Sequence, residues 1–155
     1  MDLEIVNYKE EYDQKLLELF YRSVYGIPTY KKEKGSDYVR VPSKWIYRYT
    51  LSDDYIAKVA IKGGNVVASL GIIIRNGKIN NKKVKIGCFV DNCIMPKYSG
   101  NYEPIFHDLF TELEKEAKER GIDIICGWDF YQASIGVHKD LFDGMDYKWV
   151  EGVSW

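Results

Sequence analysis

The spacing of apolar and polar positions changes several times along the chain, and each change marks an element. Leu3 to Tyr8 alternates, with Leu3, Ile5 and Asn7 on one side and Glu4 and Val6 on the other, which predicts a short opening strand. From Tyr12 to Tyr25 the period lengthens to about 3.6 residues, with Leu16, Leu17, Phe20 and Val24 at helical intervals. Glu10, Glu11 and Asp13 lie near the positive end of that helix dipole, and Gly26 and Pro28 stop it. Thr29 to Arg40 is polar, lysine-rich and aperiodic, a loop, after which Ser43 suits the N-cap of a short helix carrying Trp45, Ile46 and Tyr49. Tyr55 to Lys62, Asn65 to Arg75 and Val84 to Met95 read as three successive strands. The first turn is Gly63, Gly64 and Asn65; the second is the Asn76–Gly77 pair, followed by Asn80 and Asn81.

Pro104 to Arg120 is the best-formed helical pattern. Ile105, Leu109, Leu113 and Ala117 make one stripe, thickened by Phe106 and Phe110. On the opposite face Glu114 pairs with Lys118 and Glu116 with Arg120, while Pro104 suits the first helical position and Gly121 the end. Ile122 to Trp128 is apolar apart from Asp123, as a buried strand requires. A short helix over Ala133 to Phe142, a turn through Asp143, Gly144 and Met145, and a strand from Tyr147 to Trp155 close the chain. The order is β-α-α-β-β-β-α-β-α-β: hairpins first, then a strand–helix–strand crossover. That predicts an α/β fold of the α+β kind, a mixed, mostly antiparallel sheet flanked by helices.

The length of 155 residues fits one domain, expected to span residues 1–155. With 46% hydrophobic and 29% charged residues the chain is globular. Lys and Arg total 22 against 23 Asp and Glu, and this balance excludes a general nucleic-acid binder, which needs a strong positive field. No apolar run approaches the ~18 residues of a membrane span. The opening MDLEIVNYKEEY lacks an export pattern, so no membrane partner and a cytoplasmic location are expected. Cys88, Cys93 and Cys126 all lie in apolar, strand-like stretches, which favours reduced thiols over a disulfide framework. Without a CxxC, and with His107 and His138 far apart, no metal site is expected. Lys78, Lys82, Lys83 and Lys85 crowd the second hairpin, where a solvated turn is a better reading than an anion site.

The stretch VDNCIMPKYSGNYEPIFHDLF, with the helix it opens and the strand IDIICGW, resembles the GNAT superfamily of acyl-CoA-dependent N-acetyltransferases. Asp91, Ile94 and Pro96 stand where that family commonly has D-x-x-V-x-P, Tyr98 takes its aromatic position, and Ser99 replaces its usual arginine or glutamine. GWDFYQASIGVHKDLFDGMDYKWV is similar to the family's fifth strand, fourth helix and closing glycine turn, with Met145 in place of an aromatic. Trp45 and Tyr49 fit a W-x-x-x-Y-like stretch of some branches, so the resemblance covers nearly the whole chain.

The resemblance implies acetyl-CoA as co-substrate. Backbone groups at Cys93, Ile94 and Met95 would hold its acyl arm, and Tyr98, Ser99, Gly100, Asn101, Tyr102 and Glu103 would meet its diphosphate at a helix start. The family's loop glycines fall on Tyr102 and Pro104, leaving Gly100. On that alignment Tyr102 is expected at positive φ, costing about 1 kcal/mol, and Pro104 at the first helical position removes a donor. The pyrophosphate loop is thus degenerate.

N-acetyl transfer requires an amine to lose a proton, and a carboxylate or tyrosine is the usual acceptor. Asp91 is the first candidate; a carboxylate bonding locally at a strand end is the equally weighted alternative. Tyr131 is the second, against a packing role. The family's general-acid tyrosine falls near Asp140, beside His138, and its role transfers to neither. Cys93 reads as a buried strand cysteine rather than a nucleophile, and His107 as packing or exposed. Ser43, Ser99 and Ser134 lack a GxSxG elbow.

The leading expectation is an N-acetyltransferase working by direct attack in a ternary complex, its acceptor a small amine or an amine of a peptide or protein. A second reading is a GNAT-fold binding or assembly module that has lost productive CoA binding, with the aromatic strand YKWVEGVSW pairing across a homodimer. Transfer of another acyl group is the third.

Overall fold

The computed structural model describes residues 3–24 and 54–127, with the backbone alone at residues 21–24, 91 and 102. The expected loop and helix over 29–49, the helix over 133–142 and the strand over 147–155 lie outside the described residues, as does Tyr131.

Five strands, β1 (Glu4–Asn7), β2 (Tyr55–Lys62), β3 (Asn65–Ile79), β4 (Lys82–Ile94) and β5 (Ile124–Cys126), lie side by side in chain order. The first four pair antiparallel, and β5 joins β4 in parallel after a crossover through helix α2 (Tyr102–Glu119). Helix α1 (Asp13–Val24) follows a 3-10 turn over Glu10–Tyr12. The result is the expected mixed, mostly antiparallel sheet with helices on its faces.

The second hairpin departs from expectation. Asn76 and Gly77 are strand residues opposite Lys85 and Val84, and the turn is Asn80–Asn81, at φ 48° and 64°. A turn at Asn76–Gly77 would have set Ile72 and Ile73 opposite Asn81 and Asn80, wasting the apolar face. The observed register sets them opposite Phe89 and Cys88. Asparagine tolerates the left-handed region well enough for a type I′ turn. Helix α2 also differs at its start. A 3-10 turn over Pro96–Asn101 winds straight into it, Asn101 is the N-cap and Tyr102 the first helical residue, which puts Pro104 third. Proline is tolerated there because first-turn N–H groups have no intrahelical acceptor.

At the other end of α2, Gly121 takes φ +65°. Its N–H reaches the Lys118 carbonyl at 3.1 Å and the Ile122 N–H reaches that of Ala117 at 3.0 Å, a Schellman stop that needs glycine at this position. Asp123, the polar exception in its apolar run, accepts a hydrogen bond from the Lys85 N–H at 2.8 Å and aligns β5 against β4.

Both faces of the sheet are covered. On one, Ile56, Ala60, Leu70, Ile72 and Ile74 pack against Ile105, Phe106, Leu109, Phe110, Leu113 and Ala117 of α2. On the other, Ala57, Val59, Val66 and Cys93 meet Leu16 and Leu19 of α1. This double burial is why β2 and β3 read as almost unbroken apolar runs. Among the described residues no helix is long and apolar enough to cross a membrane.

One charged residue breaks the apolar pattern. Lys58, 6% exposed, lies on the α2 face of β2 and donates from Nζ to Glu116 Oε2 at 2.8 Å and Asn7 Oδ1 at 2.6 Å. Glu116 is also 3.5 Å from Arg120, whose guanidinium donates to the Tyr55 carbonyl at 2.6 Å and to the Asp54 carboxylate. The Glu116–Arg120 pair expected on the solvent face therefore ties the C-terminal half of α2 to β2, whereas Glu114–Lys118 remains an exposed pair at 3.2 Å. Near the start of α1, the Tyr8 hydroxyl donates to Asp13. Burial, then the Asp13 hydrogen bond, raises the Tyr8 hydroxyl well above its usual range and keeps it a donor. Burial raises the Asp13 carboxyl too, with the Tyr8 hydrogen bond working against that.

Two predictions rest on these groups. Glu116→Ala leaves a buried ammonium short of its carboxylate and should cost about 2 kcal/mol, while Lys58→Met removes the charge itself and should stay within about 1 kcal/mol. Urea unfolding of the double variant should recover most of the Glu116→Ala loss; an additive result would mean that the two groups are not coupled. Asp13 holds its proton more tightly folded than unfolded, so its contribution is fully present below the unfolded carboxylate pKa and is lost as pH rises through the folded value. Asp13→Asn should therefore gain stability relative to wild type as the pH rises above the unfolded carboxylate pKa of about 3.9, and a pH-independent difference would refute this.

Candidate active site

The site follows from how β4 ends. Its parallel pairing with β5 covers three positions, Ile86 with Ile124, Gly87 with Ile125 and Cys88 with Cys126. Beyond Cys88, β4 continues for six residues with no β5 partner among the described residues. Next to the last described pair, Phe89 lies over Gly127. A Cβ on Gly127 would stand 2.7 Å from the Phe89 ring, so only glycine permits this approach. Phe89 packs at 5.7 Å between ring centroids against Phe110 of α2.

Further along, β4 bends. Its pairing with β3 passes from Val90 opposite Gly71 to Cys93 opposite Ser69, so three steps on β4 match two on β3. This one-residue bulge falls at Asp91 and Asn92 and puts the backbone of Asp91 at the bend, beyond the last β4 residue that pairs with β5 among the described residues.

The residues expected to hold an acyl arm separate by direction. The Met95 N–H donates to the Val67 carbonyl at 2.8 Å, so it is spent on β3. Backbone polar groups alternate along a strand, so the N–H and carbonyl of Ile94 point to the opposite edge, the side on which β5 lies. Cys93 turns its thiol into the α1 core and is 5% exposed, which agrees with its reading as a packing residue. Of the three, Ile94 presents main-chain groups toward the β5 side.

The expected phosphate loop is the 3-10 turn Pro96–Asn101 and the first turn of α2. Ser99, Gly100, Asn101 and Glu103 are exposed, and Tyr98 is half-buried against the α2 core. The positive φ expected at Tyr102 is absent. Its backbone is helical, because the helix begins two residues earlier than the glycine motif implies, and Gly100 needs no left-handed conformation either. Asn101 caps the helix without a side-chain hydrogen bond. Pro104 removes one N–H of the first turn, though from the third position rather than the first.

Two lysines flank this loop that the linear reading did not assign to the site. Lys62 Nζ lies 5.3 Å and Lys97 Nζ 4.9 Å from the centre of the Tyr98 ring, within cation–π range. The alternation of β2 carries the signal for Lys62: it shares the face of Ile56, Lys58 and Ala60. His107 is exposed and 3.8 Å from Asp108, beside a shallow recess that Ile5, Thr111 and Glu112 complete. Among the described residues no cluster of histidine, cysteine and carboxylate side chains could hold a metal ion.

No family model matches the chain, and no curated protein matches it. Solved structures do. An acetyltransferase of Trypanosoma brucei is 16% identical, over 99% of this chain and 98% of that one, with a TM-score of 0.69. A "predicted acetyltransferase" of Clostridium acetobutylicum, solved with acetyl-CoA, is 16% identical over 99% and 94%, with a TM-score of 0.72. The glucosamine-6-phosphate N-acetyltransferase of Arabidopsis thaliana is 16% identical over 100% and 99%, with a TM-score of 0.63. Taken with the sheet order, the bulged β4 and the helix that follows it, this likeness identifies the fold as that of the GNAT superfamily of acetyltransferases.

Proposed function

We infer that the chain transfers an acetyl group from acetyl-CoA to an amine. The observation that carries this reading is the end of β4: beyond its last β5 pair among the described residues it bends at a one-residue bulge and runs directly into an exposed turn at the start of α2. In this reading the edge of β4 beyond Cys88 forms one wall of a slot that ends at the N-terminus of α2. A thioester on a long arm with a diphosphate fits that outline. The likeness to a structure solved with acetyl-CoA supports the same co-substrate.

In this reading Ile94 N–H donates to the thioester oxygen as it gains charge, and the first turn of α2 at Tyr102 and Glu103 meets the diphosphate. Lys62 and Lys97 supply positive charge beside the loop, where Ser99 offers none. The amine nitrogen attacks the acyl carbon, the C–N bond forms and the C–S bond breaks. One proton leaves the amine and one reaches the departing sulfur. Asp91, at the bend, is the proposed proton acceptor, with Tyr131 the second candidate. The acceptor is a small amine or an amine of a peptide or protein; the glucosamine-6-phosphate enzyme shows that an amino sugar is among the acceptors known on this fold.

Titration calorimetry with acetyl-CoA tests the assignment without an acceptor: binding in the micromolar range is expected, and no heat with millimolar ligand would discard it. Ile94→Pro removes the proposed donor but no bond to β3, so the protein should fold and lose about 100-fold in turnover on any amine it accepts. Ile94→Val should keep the rate, and equal losses in both would point to packing rather than the N–H. Asp91→Asn should lower turnover at least about 100-fold while leaving acetyl-CoA affinity unchanged, measured by single-turnover kinetics and calorimetry. A loss of affinity with unchanged turnover would remove Asp91 from the chemistry.

A further inference from the structure

The thiols of Cys88 and Cys126 take no part in the reaction just described, and their placement is specific. They are direct partners on β4 and β5, the last pair of that ladder among the described residues. Their sulfurs are 3.7 Å apart, both are free and both are half-buried. Neighbouring strands lie about 4.8 Å apart, inside the Cα separation of roughly 4.4–6.8 Å that a disulfide tolerates. Bringing the sulfurs to about 2.05 Å therefore needs side-chain rotation and a slight approach of two strands already paired. Cys93, the remaining cysteine, is buried against α1 on the far side of the β4 bulge.

We propose that Cys88 and Cys126 form a redox modification site, whose reversible disulfide pins β4 to β5 at the root of the crevice. The oxidant is a low-molecular-weight disulfide such as oxidised glutathione. One cysteine thiolate attacks it, forming a mixed disulfide and releasing one glutathione thiolate. The second cysteine thiolate attacks the protein sulfur of that mixed disulfide and releases the other. Two protein thiols lose two electrons and two protons; the oxidant gains both and becomes two thiols. Burial, then the hydrogen bond with Cys88, pushes the Cys126 thiol up to about 11, so Cys126 rests as a thiol near neutral pH.

The bond would act on the proposed crevice because Phe89 and Gly127, which already lie against one another, are the next residue on each chain segment, and drawing the sulfurs together would tighten that contact. An effect on acetyl-CoA rests on the proposed function; formation of the bond does not.

The test uses the full chain, incubated with excess oxidised glutathione at mildly alkaline pH, denatured, and assayed for thiols. Three thiols should fall to one, and peptide mapping should link Cys88 to Cys126, with Cys93 free and dithiothreitol restoring all three. Three unreacted thiols, a link through Cys93, or glutathione adducts without a link would each overturn the proposal. Cys88→Ser should leave an adduct on Cys126 and no link. The oxidised chain should melt about 5–10 °C higher and exchange the amides of Ile124 to Cys126 at least tenfold more slowly. Unchanged exchange would refute the pinning of the strands. Acetyl-CoA should bind the oxidised form about tenfold more weakly. Equal binding by both forms would overturn the effect on the crevice. No heat from either form would instead count against acetyl transfer and leave the mapped disulfide standing.

Discussion

Asn80 and Asn81 hold the second hairpin with both turn residues in the left-handed region, and from that turn the pairing of β3 with β4 follows residue by residue. Because the sheet is buried on both faces, the register has little freedom. A slip of one residue would send the α2-facing isoleucines toward α1 and the reverse. The same register decides where the candidate site lies. It sets Ile72 against Phe89, brings the bulge to Asp91 and Asn92, and points the Met95 N–H at β3. Nothing in the loop or in α2 could place these groups if β4 were displaced along β3.

Much of this was legible in the linear pattern, and the misreadings share one cause. The limits of β2 were read to the residue, because a run apolar on both faces ends where its turn glycines begin. The long helix was recognised from its stripe, though its start lay two residues earlier than Pro104 suggested. Asn76–Gly77 carried the stronger local turn signal, yet the turn formed at Asn80–Asn81. Local propensity there favours one site by a small margin, while pairing the isoleucine run with β4 involves several buried side chains and decides the outcome. At the site, the motif located the loop but not the direction of any N–H, since direction follows from register. That is why the motif ranks Cys93, Ile94 and Met95 equally, while only Ile94 turns its main-chain groups away from β3.

Lys58 illustrates a different limit. In a strand flanked by apolar neighbours, a lysine reads as an edge or a solvent contact. Its burial becomes intelligible only when Asn7 and Glu116, from distant parts of the chain, meet it. The lattice that continues through Arg120 to Asp54 and the Tyr55 carbonyl clamps the C-terminal half of α2 onto β2. Apolar packing at Ile105, Phe106 and Leu109 secures its other half. Helix α2 is therefore fixed along its length, and its N-terminus arrives at the end of β4 as a positioned group.

On the proposed reading, that fixed terminus is what would let a loop stripped of its motif glycines still face an anion. Glycines serve such loops by allowing left-handed turns and close approach of main chain to phosphate. Here the chain avoids the left-handed turn altogether, since the 3-10 segment enters the helix early and Tyr102 is already helical. What is given up is the number of donors, one of them to Pro104. What remains is the end of the helix dipole, partly answered by the Glu103 carboxylate, and two lysines held beside Tyr98. On the proposed acetyl-CoA reading, attraction in such a cradle would come from surface cations as much as from main-chain amides. It would fall more steeply with ionic strength than in a glycine-built loop, and the diphosphate would be placed less tightly than the acyl carbon at Ile94.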